Sequence, residues 1–169
     1  MLDYPKYIAR TLHLARLGCY YVAPNPMVGA VLVNKEGDII AEGWHKQFGG
    51  PHAEVECVRN YELGIKNYEK LEECTLFVNL EPCSHYGKTP PCAKMIIEKG
   101  VGRVVVGMLD PNPLVAGKGV QMLRDAGIEV VVGVMEQECR ELNKALAEVL
   151  SVDTKQRTGE EKIYHLPDV

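Results

Sequence analysis

Apolar residues follow two different spacings along the first 150 residues of the chain. Helical spacing predicts helices over residues 4–17, 52–63, 92–99, 119–126 and 136–150. Mainly apolar runs predict buried strands over residues 28–33, 75–80, 103–108 and 128–134. A further strand over residues 39–42 follows a polar turn, so it forms a predicted hairpin with the first strand. Strands that alternate with helices predict an α/β layered domain.

The spacing ends after about residue 150. With 169 residues, of which 46% are hydrophobic, the chain is long enough for one domain with a sizeable core. We therefore predict one domain over residues 1–150. Residues 151–169 are polar and without periodicity, and they are interpreted as a C-terminal tail that is ordered only if it docks.

Charge and cysteine content narrow the class of function. The formal net charge is −4 and no segment gathers Lys and Arg into a stripe, which argues against a nucleic-acid partner. There is no leading signal peptide and no apolar run of membrane-spanning length, so no membrane partner is expected. Six cysteines in such a chain point to a reducing compartment and to metal before disulfides. A cytoplasmic protein that acts on small molecules is predicted.

Two short segments carry the candidate chemistry, His52-Ala53-Glu54 and residues 81–92. Together they offer one imidazole and two thiols, from His52, Cys83 and Cys92. Three such ligands are typical of a catalytic zinc, which keeps its fourth position open. His-x-Glu followed by Pro-Cys and a second Cys is the signature of zinc-dependent nucleobase deaminases, in which the Glu carries protons. Glu54 is therefore the candidate catalytic residue.

The same residues admit two other interpretations. His85 could supply a fourth ligand and close a structural zinc site, or the cysteines could be unligated core residues. Neither explains why an acid follows His52 or why residues 84–89 are so polar. A zinc site with a proton carrier is the prediction that accounts for both.

Four motifs together make the chain similar to one particular enzyme family. It resembles the deaminase domain of the bacterial riboflavin-biosynthesis deaminase/reductase, within the cytidine-deaminase-like superfamily, over about the first 145 residues. The discriminating piece is the loop of eight residues between Cys83 and Cys92, because transfer-RNA adenosine deaminases and cytidine deaminases typically have Cys-x-x-Cys there. The motifs that carry the resemblance are residues 24–31, 52–55, 80–92 and 110–119.

The resemblance implies a fold, a reaction and a site. The fold is a three-layer α-β-α cytidine-deaminase-like domain with a mixed, roughly five-stranded sheet. The reaction is the zinc-dependent hydrolysis of 2,5-diamino-6-(5-phosphoribosylamino)pyrimidin-4(3H)-one to 5-amino-6-(5-phosphoribosylamino)uracil and ammonia. His52, Cys83 and Cys92 match the zinc ligands, and Glu54 matches the proton shuttle. The positions that match substrate contacts are Asn25, His45, Lys88, Asp110 and Asn112.

The resemblance also bears on partners. Family members with two activities continue into a nicotinamide-dependent reductase domain, whereas this sequence ends first and its tail does not resemble that domain. No reductase activity is expected, so a separate reductase is expected to perform the next step. A homo-oligomer is expected because related deaminases associate.

The substrate contacts each have an ordinary alternative. Asp110 and Asn112 lie in an Asp-Pro-Asn-Pro run that is common in turns, and Lys88 would otherwise be a solvated loop lysine. Asn25 could cap a turn, and His45 could be a hydrogen-bonded loop histidine. The resemblance favours substrate contacts at all five positions.

Two rival functions remain open from the sequence. The first is a deaminase that acts on another base, on another nucleotide or on nucleic acid, and the second is a non-catalytic structural zinc module. The acidic net charge argues against nucleic acid, and Glu54 argues against a non-catalytic module. Lys88, Asp110 and Asn112 favour a phosphorylated ribosyl substrate over a free base.

Overall fold

The structure is a computed structural model, and it describes residues 1–64 and 69–144. The predicted boundary at residue 150, the predicted tail over residues 151–169 and the end of the last predicted helix lie outside the described residues. Among the helices within these two ranges, none combines the length and the hydropathy that crossing a bilayer requires.

The described residues form five strands and five α-helices, each of which corresponds to a predicted element, and one short 3₁₀ helix, Leu71–Glu73, that was not predicted. Four predicted strands are longer than the observed ones by one to three residues, because the ends of the apolar runs leave the sheet and enter loops. The strand predicted over residues 39–42 is instead too short, since it continues to Trp44. The elements are α1 Tyr4–Arg16, β1 Gly29–Val33, β2 Ile39–Trp44, α2 Ala53–Leu63, β3 Thr75–Val78, α3 Cys92–Lys99, β4 Arg103–Val106, α4 Lys118–Asp125, β5 Glu129–Val132, and α5 over residues 136–144.

The strands form one mixed sheet in the order β2-β1-β3-β4-β5. β1 runs antiparallel to both of its neighbours, whereas β3, β4 and β5 run parallel. The predicted hairpin of β1 and β2 and the predicted mixed five-stranded sheet are both confirmed.

The register of β1 shows that helices cover both faces of the sheet. Val31 lies opposite Phe77, and the ring of Tyr7 in α1 packs on Phe77 with centroids 4.8 Å apart. The preceding residue, Ala30, lies opposite Gly43 and points to the other face of the sheet, because successive side chains of a strand alternate between faces. On that face α2 packs so closely that a Cβ at Gly43 would lie 2.4 Å from the backbone nitrogen of Cys57. The three-layer arrangement is confirmed.

The direction of β1 explains the position of Asn25, which precedes its strand although sites in parallel sheets follow theirs. Because β1 is antiparallel to β3, the amino end of β1 lies beside the carboxyl end of β3. The backbone N–H of Gly29 donates a hydrogen bond of 2.8 Å to Oδ1 of Asn79, one residue beyond β3. Asn25 and the segment after β3 thus reach the same edge of the sheet.

Candidate functional site

Three side chains that could hold a metal ion converge at that edge. His52 is the N-cap of α2, Cys83 lies in the loop after β3, and Cys92 is the first residue of α3. Their ligand atoms all lie within 4.8 Å of one another. Nδ1 of His52 is 3.3 Å from Sγ of Cys92 and 3.7 Å from Sγ of Cys83. The start of α2 therefore faces the two thiols.

The donor set fits zinc with an open coordination position. Zinc binds imidazole nitrogen and thiolate sulfur, and a site with three protein ligands leaves room for water. His85 is exposed and does not belong to the cluster, so the closed site with His85 as fourth ligand finds no support among the described residues. Cys57, Cys74 and Cys139 are also free and stand outside the cluster.

Hydrogen bonds around the two thiols stabilise a negative charge on Cys83. Contact with the Cys92 thiol and then with His52 lowers the pKa of Cys83 to about 4. The backbone N–H of Cys92, at the start of α3, also donates to Sγ of Cys83 at 3.1 Å. The same contact and burial raise the pKa of Cys92. The thiolate that these contacts favour at Cys83 is the form in which cysteine binds a metal ion.

Glu54, the second residue of α2, is buried beside this cluster with 3% of its surface exposed. Burial raises the pKa of its carboxyl group, and the nearby imidazole of His52 only partly opposes this. The carboxyl group contacts the Cys92 thiol. A buried carboxyl group with a raised pKa is suited to exchange protons near neutral pH.

The cluster borders a small cleft. Two predicted substrate contacts, Asn25 and His45, line it together with His52, Glu54 and Cys83.

Asn25 and His45 form one hydrogen-bonded unit in this cleft. Nδ1 of His45 lies 2.9 Å from the carbonyl oxygen of Pro51, which can only accept, so Nδ1 carries the proton. Nε2 is then an acceptor for the side-chain amide of Asn25 at 3.3 Å. Burial lowers the pKa of His45, which favours this neutral ring. The amide of Asn25 is thereby oriented, with its oxygen available to a ligand.

The other three predicted substrate contacts occupy different surroundings. Asp110 lines a second small cleft, which adjoins the first because Glu81 and Cys83 line both. Asn112 is half-buried beside it and lines neither cleft, and its Oδ1 accepts a backbone N–H from Leu114 at 3.0 Å.

Lys88 is exposed in the loop between Cys83 and Cys92 and also lines neither cleft. The structure thus brings Asn25 and His45 to the ligand cluster and Asp110 to the adjoining cleft. It leaves Asn112 and Lys88 at the periphery.

Glu81 is part of the site although no role for it was expected from the sequence. It is 5% exposed, and its carboxylate accepts hydrogen bonds from three backbone N–H groups between residues 110 and 120. The only sequence signal for this role is an acid directly after a buried strand, in front of Pro82-Cys83.

Comparison with known proteins agrees with this geometry. A sequence model of the cytidine and deoxycytidylate deaminase zinc-binding region matches residues 4–108. Riboflavin biosynthesis protein RibD of Aquifex aeolicus is 54% identical over 138 residues, which are 82% of this chain and 37% of that protein. The diaminohydroxyphosphoribosylamino-pyrimidine deaminase of Buchnera aphidicola subsp. Schizaphis graminum is 44% identical over 138 residues, 82% of this chain and 89% of that protein.

A solved structure gives the same result for the fold. The diaminohydroxyphosphoribosylaminopyrimidine deaminase/5-amino-6-(5-phosphoribosylamino)uracil reductase of Thermotoga maritima superimposes with a TM-score of 0.76 at 47% identity, over 90% of this chain and 42% of that chain. The chain thus spans about two fifths of the length of the RibD and deaminase/reductase relatives and most of the length of the Buchnera deaminase.

Proposed function

The chain belongs to the cytidine and deoxycytidylate deaminase zinc-binding family, and from this premise we propose that it deaminates 2,5-diamino-6-(5-phosphoribosylamino)pyrimidin-4(3H)-one. The products are 5-amino-6-(5-phosphoribosylamino)uracil and ammonia. The observation that carries the proposal is the convergence of His52, Cys83 and Cys92 in one cluster. His52 and Cys83 also line a cleft together with the buried Glu54. The names of the similar proteins supply the substrate class.

His52, Cys83 and Cys92 are the proposed zinc ligands. Zinc, when bound, supplies a Lewis acid that lowers the pKa of a water molecule to about 7. The two cysteines bind as thiolates and His52 as a neutral imidazole, so the ligands carry the charge that offsets the cation. The lowered pKa of Cys83 beside the raised pKa of Cys92 suits the pair to bind a cation through thiolate sulfur.

Glu54 is the proposed proton carrier. Its carboxylate takes a proton from the attacking water and gives it to a ring nitrogen as the new carbon–oxygen bond forms at the amino-bearing carbon. It takes the second proton of that oxygen and gives it to the departing amine as the carbon–nitrogen bond breaks, so that ammonia leaves. Burial supports this role because a raised pKa brings the carboxyl group closer to neutral pH.

The remaining contacts are proposed to orient the substrate. Asn25, held by His45, would hydrogen-bond the pyrimidine within the main cleft. Asp110 and Asn112 would contact the ribosyl group from the adjoining loop, and Lys88 would reach the ring oxygen or the phosphate from the exposed loop beside them.

The setting of the reaction is also a proposal. The six free cysteines, two of which are proposed zinc ligands, favour a reducing compartment such as the cytoplasm. The name of the Thermotoga relative includes a reductase for the proposed product, so a reductase is the expected next enzyme. A homo-oligomer stays a prediction.

The test is ammonia release by the zinc-loaded protein with three substrates in parallel: the diaminopyrimidine ribotide, its dephosphorylated form and cytidine. The expected result is turnover of the ribotide with little or no turnover of the other two. This result would show that the enzyme recognises the phosphate group. Turnover of cytidine instead would favour a deaminase of another nucleoside. If none reacts although one zinc is bound per chain, the proposed function is wrong and a structural zinc module remains.

A further inference from the structure

The carboxylate of Glu81 joins two segments that are distant in sequence. Oε1 accepts the backbone N–H of Asp110 at 3.0 Å and that of Gly117 at 2.9 Å, and Oε2 accepts the backbone N–H of Val120 at 3.0 Å. Glu81 is buried, and its bond with Val120 is buried as well, whereas the bonds with Asp110 and Gly117 are part-buried. Hydrogen bonds from N–H groups to a carboxylate are stronger than neutral ones. Glu81 therefore ties the loop between β4 and α4 to the segment that carries Cys83.

This contact also replaces a missing helix cap. The N-cap of α4 is Gly117, which has no side chain to accept the free N–H groups of the first turn, and its φ of 84° suits only glycine without strain. Glu81 accepts two of these N–H groups, those of Gly117 and Val120, and its negative charge lies at the positive end of the helix dipole. The start of α4 is thus capped by a residue of another segment.

Close packing at the same point leaves the two segments little freedom to separate or rotate. A Cβ at Gly119 would lie 1.9 Å from the carbonyl oxygen of Pro82. The backbone of α4 therefore rests directly on the residue between Glu81 and Cys83.

The hydrogen bonds continue from Glu81 into the loop that holds two proposed substrate contacts. Oδ1 of Asp110, whose N–H donates to Glu81, accepts the backbone N–H of Asn112 at 2.9 Å. Oδ1 of Asn112 in turn accepts the N–H of Leu114 at 3.0 Å. The positions of Asp110 and Asn112 thus depend on the anchor at Glu81.

We propose that Glu81 is a positioning residue that fixes the Asp110–Asn112 loop in register with the Cys83 side of the metal cluster. Glu81 does not touch the reacting atoms. It sets the distance between the group that is deaminated and the ribosyl end of the substrate. The loop anchor stands on geometry alone, whereas its effect on the substrate rests on the proposed function.

The test compares the zinc-loaded wild type with Glu81→Gln and Glu81→Asp. Gln keeps the shape but places an amide donor against at least one backbone N–H, and Asp keeps the charge but is one methylene too short for all three bonds. Amide hydrogen exchange over residues 109–120 is expected to accelerate about tenfold or more in Glu81→Gln and less in Glu81→Asp. Zinc content is expected to stay at one per chain.

Kinetics supply the second measurement. For Glu81→Gln we expect the KM of the ribotide to rise about tenfold while kcat changes by less than about threefold, because loop order affects binding more than proton transfer. The matched control is Glu56→Gln. Glu56 is another buried acid, 7% exposed, but its side chain pairs with Lys46 and Arg59 on the α2 side. Exchange over residues 109–120 should not change in this control.

The outcomes distinguish the two parts of the proposal, which are the anchoring of the loop by Glu81 and its effect on substrate binding. Unchanged exchange in Glu81→Gln would overturn the anchor, whatever the kinetics. Faster exchange with an unchanged KM would overturn the effect on substrate. Loss of zinc from Glu81→Gln would assign Glu81 to support of the metal instead of the loop. If the wild type does not turn over the ribotide, the proposed function fails while the exchange measurement still decides the anchor.

Discussion

The side-chain amide of Asn143 pairs with both backbone groups of Met27. Oδ1 accepts the N–H of Met27 at 2.7 Å, and Nδ2 donates to its carbonyl oxygen at 3.2 Å. Asn79 donates to the same carbonyl oxygen at 3.2 Å and also holds Gly29. Two buried amides, one on α5 and one after β3, thus fix the segment that follows Asn25. α5 is therefore part of the support of the site.

Replacement of Asn143 is expected to destabilise the protein. Asn143→Ala leaves the buried N–H of Met27 without its acceptor, which costs about 1–3 kcal/mol. The measurement is the free energy of unfolding from urea titration. Asn60→Ala is the control, because the exposed amide of Asn60 also bonds a backbone carbonyl but in contact with water, and we expect a loss of no more than about 0.5 kcal/mol. Equal losses in the two variants would contradict the role of Asn143.

Replacement of Glu54 should separate catalysis from metal binding. Glu54→Gln keeps the size of the side chain but removes its ability to take up a proton, so turnover is expected to fall by about 10²–10⁴-fold. Zinc content, measured by atomic absorption, should remain at one per chain. Near-normal turnover would contradict the role of Glu54 as proton carrier, and loss of zinc would show that it supports the metal.

Asn25 and His45 should behave as a coupled pair. Because His45 orients the amide of Asn25, loss of either side chain removes much of the same interaction with substrate. We expect Asn25→Ala and His45→Ala each to raise KM, and the double variant to raise it by less than the product of the two single effects. The measurement is a double-mutant cycle in kcat/KM. Independent, multiplicative effects would mean that the two residues contact substrate separately.

Gly43 should be intolerant of a side chain. A Cβ there would lie 2.8 Å from the carbonyl oxygen of Ala53 as well as 2.4 Å from the nitrogen of Cys57, and both atoms belong to the backbone of α2. Gly43→Ala is expected to push α2 away from β2, lower the free energy of unfolding by about 1–3 kcal/mol and weaken zinc binding through His52. Gly87→Ala is the control, since no atom lies within 4 Å of its Cβ position. Unchanged stability and zinc content in Gly43→Ala would contradict this packing.

The six cysteines should differ in reactivity. Burial raises the pKa of Cys74 to about 11 and that of Cys139 to about 12, and it raises the pKa of Cys57 further. At pH 8.5 these thiols are protonated in the folded chain, whereas unfolded cysteines are about half ionised. Alkylation of the three by iodoacetamide, followed by mass spectrometry, is expected to be more than about 100-fold slower than in guanidinium. Rapid labelling of the folded protein at any of the three would contradict the prediction.

The same pKa shifts predict how stability depends on pH. Because the folded pKa values lie above the unfolded ones, the stabilisation from these thiols is complete below about pH 8.5 and is lost as the pH rises through about 11–12. The free energy of unfolding should therefore fall in this range. Replacement of Cys74 by Val should reduce the slope, and an unchanged slope would contradict the assignment.

The parts of the fold that follow from local pattern were predictable. β3 is a mainly apolar, fully buried run, and α3 has Pro91 before it and Gly100 with a φ of 76° after it. Pro91 forms the N-cap of α3, directly before its first turn. The ligand cluster was predictable because each of its members lies at the boundary of a recognisable element.

The supporting contacts were not predictable, because they depend on tertiary distance. Asn143 and Met27 are separated by 116 positions, and Glu81 and Val120 by 39. An asparagine in a helix or an acid after a strand gives no indication of its partner until the sheet order is known. The position of Asn25 was likewise explained only by the antiparallel direction of β1.

The antiparallel pairing of β1 with β3 makes strand alignment part of substrate recognition. A slip of β1 by one residue would move Asn25 by about 3.4 Å relative to Cys83 and turn the apolar side chains of β1 to the wrong faces. The bond between Gly29 and Asn79 exists in one alignment only. An inserted residue in the turn between β1 and β2 would leave the cleft intact, whereas one between Asn25 and Gly29 would change its width.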